Sequence, residues 1–332
     1  MTKEKEMMNA IVVKEFGGPD NLHYSQIEIP KTRAKQIKIK INAIGVNPNE
    51  SYVLTGNYNL YQPELPFIPG FDAAGTVIEV GSDATKYKVG DRVFVGSFKK
   101  LEQSGTYAEQ MVVDEDIAIP LPENVSFEEG ASLGIPAFTA YHVLFQRAKI
   151  SENETIFIHG ATGGVGTLAV QMAKAAGLTV IGSSSNEAGR KAILENGADY
   201  AIPHLSDDTL DQLLSITNNE GPDVIVEFLA NKNLENDLKT IKTKGRIIVV
   251  GARDSIEISP RLILSRNIDI LGASLPNLTE KEYEEAKEGI LKLLSSNQLK
   301  PIIGEQLDLK DAESVLDTIT SRSGRGKSIL IP

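Results

Sequence analysis

Hydrophobic and polar positions follow two different rhythms along the chain, and the change falls near residue 127. Before it, "AIVVKEF" (10–16), "QIKIKINAIGV" (36–46), "AAGTVIEVG" (73–81), "DRVFVG" (91–96) and "AEQMVVDE" (108–115) are β-branched or alternate with period two. Clusters such as "GGPD", "LPFIPG" and "VGSDATKYKVGD" break these runs, and the spacing predicts a compact β-rich barrel. After it, "ETIFIHG" (154–160), "LTVIGSS" (178–184), "DYAIP" (199–203), "PDVIVEFLA" (222–230), "GRIIVVGA" (245–252) and "IDILGAS" (268–274) read as buried strands separated by helical stretches. In "GVGTLAVQMAKAAG" the residues Val165, Leu168, Ala169, Met172 and Ala176 share a helix face, and "AGRKAILENG" ends on Gly197 where a C-cap needs it. Apolar strands alternating with helices predict an α/β fold with a doubly wound parallel sheet. Two domains are expected: residues 1–127 with 301–332, because the last run "GKSILIP" returns to the first domain, and residues 128–300. The segment Met1–Met7 is set aside from this reading.

Composition narrows the function classes. The 332 residues carry a formal net charge of −11, which argues against a general nucleic-acid or membrane-surface partner. No run of about 18 apolar residues is present, and the N-terminus lacks a secretory pattern, so a cytoplasmic protein is expected. There is no cysteine, hence no disulfide, thiolate nucleophile or Cys-ligated zinc. The four histidines, His23, His142, His159 and His204, have no metal-ligand spacing, and no metal is expected.

The stretch "HGATGGVG" (159–166) joins a predicted strand to a predicted helix. Ala161, Thr162, Gly163, Gly164, Val165 and Gly166 form the dinucleotide fingerprint G-x-G-x-x-G, with alanine in the first glycine place. Gly163 lets backbone approach a pyrophosphate, Gly166 allows close helix–sheet packing, and the helix N-terminus offers free N–H groups to phosphate. An NAD site usually ends its second strand with an acid for the ribose 2′-hydroxyl. Here Ser183, Ser184 and Ser185 stand there, followed by Arg190 and Lys191. Hydroxyl and cationic donors suit a 2′-phosphate, so NADPH is the expected cofactor, with Glu187 the residue that speaks for NAD.

The segments "EFGGPDNL", "GVNPNESYVLTGNY", "LPFIPGFDAAG", "GTYAE", "GIPAFTAYHVL", "HGATGGVG", "EFLANKNL" and "IEISPR" together span nearly the whole chain. In this order they resemble the medium-chain dehydrogenase/reductases, and within them the zinc-independent quinone oxidoreductases of the zeta-crystallin type. The resemblance implies a GroES-like barrel beside a Rossmann domain. In zinc-dependent members the segment at 70–72 reads Gly-His-Glu; here Phe71 takes the His place and Asp72 the Glu place, while the first Cys ligand falls at Asn47. Asp72 is therefore expected to be a structural carboxylate in a site that has lost its metal. An acceptor that needs no Lewis acid follows: a quinone, or a conjugated enone or enoyl thioester, since each delocalises the incoming charge itself. Asn47, Tyr52 and Tyr58 are the expected polar contacts to the acceptor in the family's cleft. Thr139, Ala230, Asn231 and Gly251 correspond to cofactor contacts, and Arg322 and Lys327 are expected to reach a phosphate. Ala137 departs from the Tyr that related members often carry, which bears on acceptor choice. The apolar edge "IDILGAS" implies a homodimer, or a tetramer of such dimers. A non-catalytic use of the scaffold, as a crystallin-like or RNA-binding protein, is the reading of another class.

Overall fold

The computed structural model describes residues 6–103, 105–204, 208–319 and 324–332. The chain divides into two compact units, Met1–Ile135 with Pro301–Pro332, and Pro136–Lys300.

The first unit begins with an antiparallel pair, β1 (Met7–Val13) and β2 (Leu22–Glu28). The first strand thus starts three residues earlier than "AIVVKEF" and includes Met7; Met8 is buried in the core. Then come β3 (Gln36–Gly45), α1 (Pro48–Leu54), β4 (Asp72–Val80), β5 (Arg92–Gly96), β6 (Gln110–Asp114), β7 (Ala118–Pro120) and α2 (Phe127–Ala131). In β3 the period-two pattern points Ile37, Ile39 and Ile41 into the core. Each fully buried side chain of this size stabilises the unit by about 1.5–3 kcal/mol. Because α2 packs on β3, β4 and β5, the boundary falls after Ile135 rather than after residue 127.

Helix α3 (Gly134–Tyr141) starts at the end of the first segment and runs into the second unit, where β8 (Thr155–Ile158), α4 (Gly164–Ala175), β9 (Thr179–Ser184), α5 (Glu187–Glu195), β10 (Tyr200–Pro203), α6 (Thr209–Ile216), β11 (Val224–Glu227), α7 (Ala230–Thr240), β12 (Arg246–Val249), α8 (Pro260–Arg266), β13 (Asp269–Gly272) and α9 (Glu280–Ser295) follow. Gly197, just past α5, has φ +103° and ends that helix in the left-handed region. The six strands are all parallel, in the order β10-β9-β8-β11-β12-β13. Chain order reverses between β8 and β11, which makes their carboxyl ends the switch point where ligands bind such sheets.

The chain then returns to the first unit through β14 (Ile303–Asp308), α10 (Ala312–Thr318) and β15 (Lys327–Ile331). Strand β15 pairs antiparallel with the end of β3 and completes a sheet of order β14-β15-β3-β4-β5-β7, with β6 pairing along the first half of β3 on the same edge as β15. Among the described residues no helix is long and apolar enough to cross a membrane.

Candidate functional site

The second unit carries a phosphate cradle. The chain leaves β8 through His159 and Gly160, the latter at φ +51°, and enters α4 with Gly163 as N-cap and no side-chain cap. The first-turn amides of α4 are thus open to an external anion. A Cβ on Gly166 would lie 2.5 Å from the Gly160 carbonyl oxygen and 2.8 Å from Ala161 Cα, so only glycine lets the helix close on the turn. Ala161 is buried against β9 and donates its N–H to the Ser183 carbonyl at 3.1 Å. A Cβ on Gly189 would meet Ser184 Oγ at 2.0 Å and Thr162 Cγ2 at 3.2 Å, so the glycine turn, the end of β9 and the first turn of α5 converge. Thr162, Gly163, Gly164 and Val165 stay partly accessible on this turn. The residues present therefore fit a dinucleotide pyrophosphate.

Two of the expected 2′-phosphate ligands sit differently. Ser183 is fully buried, and its hydroxyl is 3.3 Å from His204 Nδ1, so it faces the protein interior. Lys191 is 79% exposed, and its ammonium runs along α5 toward Glu195, 4.0 Å away and one turn farther from the strand end. A residue five positions into a helix points past the strand end that the sequence alone suggested it would meet. Ser184 is buried beside Gly189, Ser185 and Glu187 are exposed, and Asn186 caps α5 by accepting the Gly189 N–H at 2.7 Å. Arg190 is half-buried and has no ion-pair partner among the described residues.

The loops after β11 and β12 are tied together. Ala230 N–H donates to the Gly251 carbonyl at 2.9 Å, and Asn231 Oδ1 accepts from Arg253 N–H at 2.9 Å. Thr139 lies in α3, 8% exposed. Arg322 lies outside the described residues.

A second constellation is buried in the first unit. Asn47 caps α1, with Glu50 at N3 completing a capping box. Its Nδ2 donates to Asp72 Oδ2 at 2.9 Å and faces Glu50 Oε1 at 3.2 Å, and its Oδ1 accepts from Lys327 Nζ. Asp72, with no exposed surface, also accepts from Ile135 N–H at 2.9 Å and from Lys327 Nζ at 3.2 Å. Asp72 is thus an anchor holding two segments and a cation. Lys327 is buried within the first unit, so it does not present its charge to a phosphate, contrary to the expectation from its place near the C-terminal return. Asn47 is 2% exposed with its amide fully engaged, so it cannot offer that amide to an acceptor. Its role is to fix the start of α1, which carries Tyr52. Burial pushes Asp72 up and Lys327 down, and each draws the other back toward its charged form. Burial raises Glu50 to about 7, against the hydrogen bond from the Tyr107 hydroxyl at 2.6 Å and the Lys327 charge.

Tyr52 is 37% exposed. Tyr58 is half-buried, its hydroxyl bonded to Asn49, and burial raises its pKa. Phe71 is buried, with the Tyr61 ring 6.1 Å away edge-on. A zinc ion does not fit here: the donors would be an engaged amide, a phenyl ring and a carboxylate already paired with an ammonium.

A third group was hidden from sequence reasoning: His159, Glu227 and Asp237, buried together with their ligand-type atoms within 4.8 Å of one another. His159 adjoins the glycine turn, but its partners lie 68 and 78 residues away along the sequence. Glu50 did have a local signal, the N-P-x-E spacing of a capping box.

Known proteins agree with this architecture. Residues 33–123 match the family described as "Alcohol dehydrogenase GroES-like domain", and residues 164–295 match "Zinc-binding dehydrogenase". Over the whole of both chains, the sequence is 41% identical to a quinone oxidoreductase of Rattus norvegicus and 39% identical to that of Homo sapiens. The structure is similar to that of the Escherichia coli quinone oxidoreductase complexed with NADPH, with a TM-score of 0.88 at 28% identity, covering 98% of this chain and all of that one. The chain belongs to the quinone oxidoreductase family of the medium-chain dehydrogenase/reductases.

Proposed function

We propose that the protein reduces quinones with NADPH, without a metal, as a cytoplasmic homodimer. The observation that carries the metal-free part is the buried Asn47–Asp72–Lys327 cluster, where an internal ammonium stands among the positions that hold zinc in metal-dependent relatives. Quinone reduction suits such a site because the ring spreads the incoming charge over both its oxygens. NADPH, when bound, supplies the hydride. The open first-turn amides of α4 hold the pyrophosphate, Arg190 with Ser184 and Ser185 receives the 2′-phosphate, and the loops at Ala230–Asn231 and Gly251 border the nicotinamide half, beside Thr139. Tyr52 and Tyr58 contribute phenols that hydrogen-bond and stack on a planar acceptor. Asn47 acts through α1.

A steady-state panel of quinones, enones and enoyl thioesters with NADPH and NADH tests this reading. Turnover on quinones, unchanged after exhaustive chelation, is the expected result. Turnover confined to enones or enoyl thioesters overturns the acceptor assignment, chelator-sensitive turnover overturns the metal-free one, and cofactor binding with no turnover on any acceptor favours a non-catalytic scaffold.

The dimer rests on β13, an edge strand of the parallel sheet with open backbone groups on one side. Pairing with the same strand of a second copy covers that edge. Light scattering at micromolar concentration is expected to give twice or four times the chain mass; a monomer contradicts it.

A further inference from the structure

Three buried titratable side chains meet at the switch point of the parallel sheet, and the proposed reduction leaves them without a task. His159 follows β8, Glu227 ends β11, and Asp237 projects from α7. His159 Nε2 is 2.8 Å from Asp237 Oδ1 and 3.2 Å from Glu227 Oε2. These are hydrogen-bond separations; a tetrahedral zinc with bonds of about 2.0–2.2 Å would hold its donors more than about 3.2 Å apart.

The proton count is constrained. Among the described residues no lysine or arginine pairs with either acid; the other groups facing the cluster are His204, its ring 5.7 Å edge-on from His159, and the N–H donors of Leu229 and Asn233 on Glu227 Oε1. One Nε2–H satisfies one oxygen. Glu227 Oε2 and Asp237 Oδ2 are buried with no donor. Both carboxylates ionised beside a neutral imidazole would leave two negative charges in a dry site. One further proton between the acids supplies the missing donor. Consistent with this, burial raises both Glu227 and Asp237 to about 7, and burial lowers His159.

The cluster touches what frames the cofactor site. His159 begins the glycine turn. Glu227 Oε1 holds Leu229 N–H and, at 3.2 Å, Asn233 Nδ2, fixing the entry to α7 where Ala230 and Asn231 lie. Through His204 the cluster also adjoins Ser183 at the end of β9. We propose that His159, Glu227 and Asp237 are positioning residues that share one extra proton, and that this proton locks the glycine turn and the α7 loop in their cofactor-binding arrangement. The proposal rests on reading the glycine turn as the NADPH site. When the proton leaves, the two carboxylates repel and Glu227 loosens its hold on the loop.

The sign follows from the raised acids: the lock is closed below pH about 7 and opens as pH rises through it. Asp237→Asn mimics the closed state, with Oδ1 accepting from His159 and Nδ2 donating to Glu227. Fluorescence titration should show the wild-type Kd for NADPH rising at least about tenfold between pH 6 and 8.5, and staying flat in Asp237→Asn. NADH, which lacks a titrating 2′-phosphate, is measured beside it and should show the same contrast. In cofactor-free protein, nitrogen NMR of the labelled histidines should show His159 as the Nε2–H tautomer, with a step near pH 7 that Asp237→Asn abolishes. An unaltered pH profile in Asp237→Asn, or no step at His159, overturns the shared proton. Stoichiometric metal in the purified protein that Asp237→Asn releases also overturns it, in favour of a cation. The step without binding of either dinucleotide at any pH overturns the cofactor reading instead.

Discussion

Replacing Lys327 by methionine is expected to cost about 3–5 kcal/mol of folding free energy at pH 8, the usual penalty for removing one partner of a buried ion pair. Methionine keeps the length and apolar stem of the side chain, so the loss reports the charge. Without the ammonium, Asp72 and Glu50 are left as buried acids, and the Asn47 Oδ1 loses its donor. The loss should depend on pH. Glu50 titrates at about 7 in the fold, above its ordinary 4.5, so its contribution is full below about 4.5 and is lost as pH rises through 7. Lys327 draws both acids downward, so removing it raises them further and extends the loss to higher pH. Urea unfolding of Lys327→Met should therefore show a smaller deficit at pH 5 than at pH 8. The double variant with Asp72→Asn should recover part of the stability, because it removes one of the stranded charges. A single variant within about 1 kcal/mol of wild type at pH 8 would show that the cluster is not ion-paired.

Arg190→Ala is expected to lower the preference for NADPH over NADH in kcat/KM by about tenfold or more, chiefly through the KM for NADPH. A 2′-phosphate carries about −1.5 to −2 charge, and a charge-assisted hydrogen bond is worth about 1.5–3 kcal/mol, where about 1.4 kcal/mol is a factor of ten. Arg190 stands near the start of α5, next in sequence to the Gly189 that packs on Ser184, and is half-buried and without a salt-bridge partner among the described residues. NADH has no phosphate to lose, so its kinetics should barely change. Lys191→Ala should have a small effect, because that ammonium runs toward Glu195. Lys281, exposed on α9, serves as the neutral control. An unchanged cofactor ratio in Arg190→Ala, or a wild type that prefers NADH, directs attention to the exposed Glu187 as a ribose ligand.

The sequence alone determined the two architectures and the kind of chemistry. Period-two runs against apolar strands alternating with helices separate the barrel from the parallel sheet, because each pattern reflects which faces of an element are buried. The glycine turn was legible because its requirement is local: Gly166 is dictated by atoms within six residues of it. Phe71 and Asn47 likewise exclude a zinc ligand set by residue type. What the tertiary structure decided is which charges are inside. Lys327 lies 280 residues from Asn47 and 255 from Asp72, and on the chain it reads as a cation for a phosphate, with nothing to mark it as their partner. Lysine and glutamate are surface residues by default, so burial of Lys327 and Glu50 follows only from tertiary contacts: the pairing of β15 with β3, and the bond from the Tyr107 hydroxyl to Glu50. Ser183, Lys191 and the cluster of His159, Glu227 and Asp237 obey the same rule. Side-chain direction at a strand end, and the meeting of three distant strands and helices at a sheet's switch point, are properties of packing, and local pattern does not encode them.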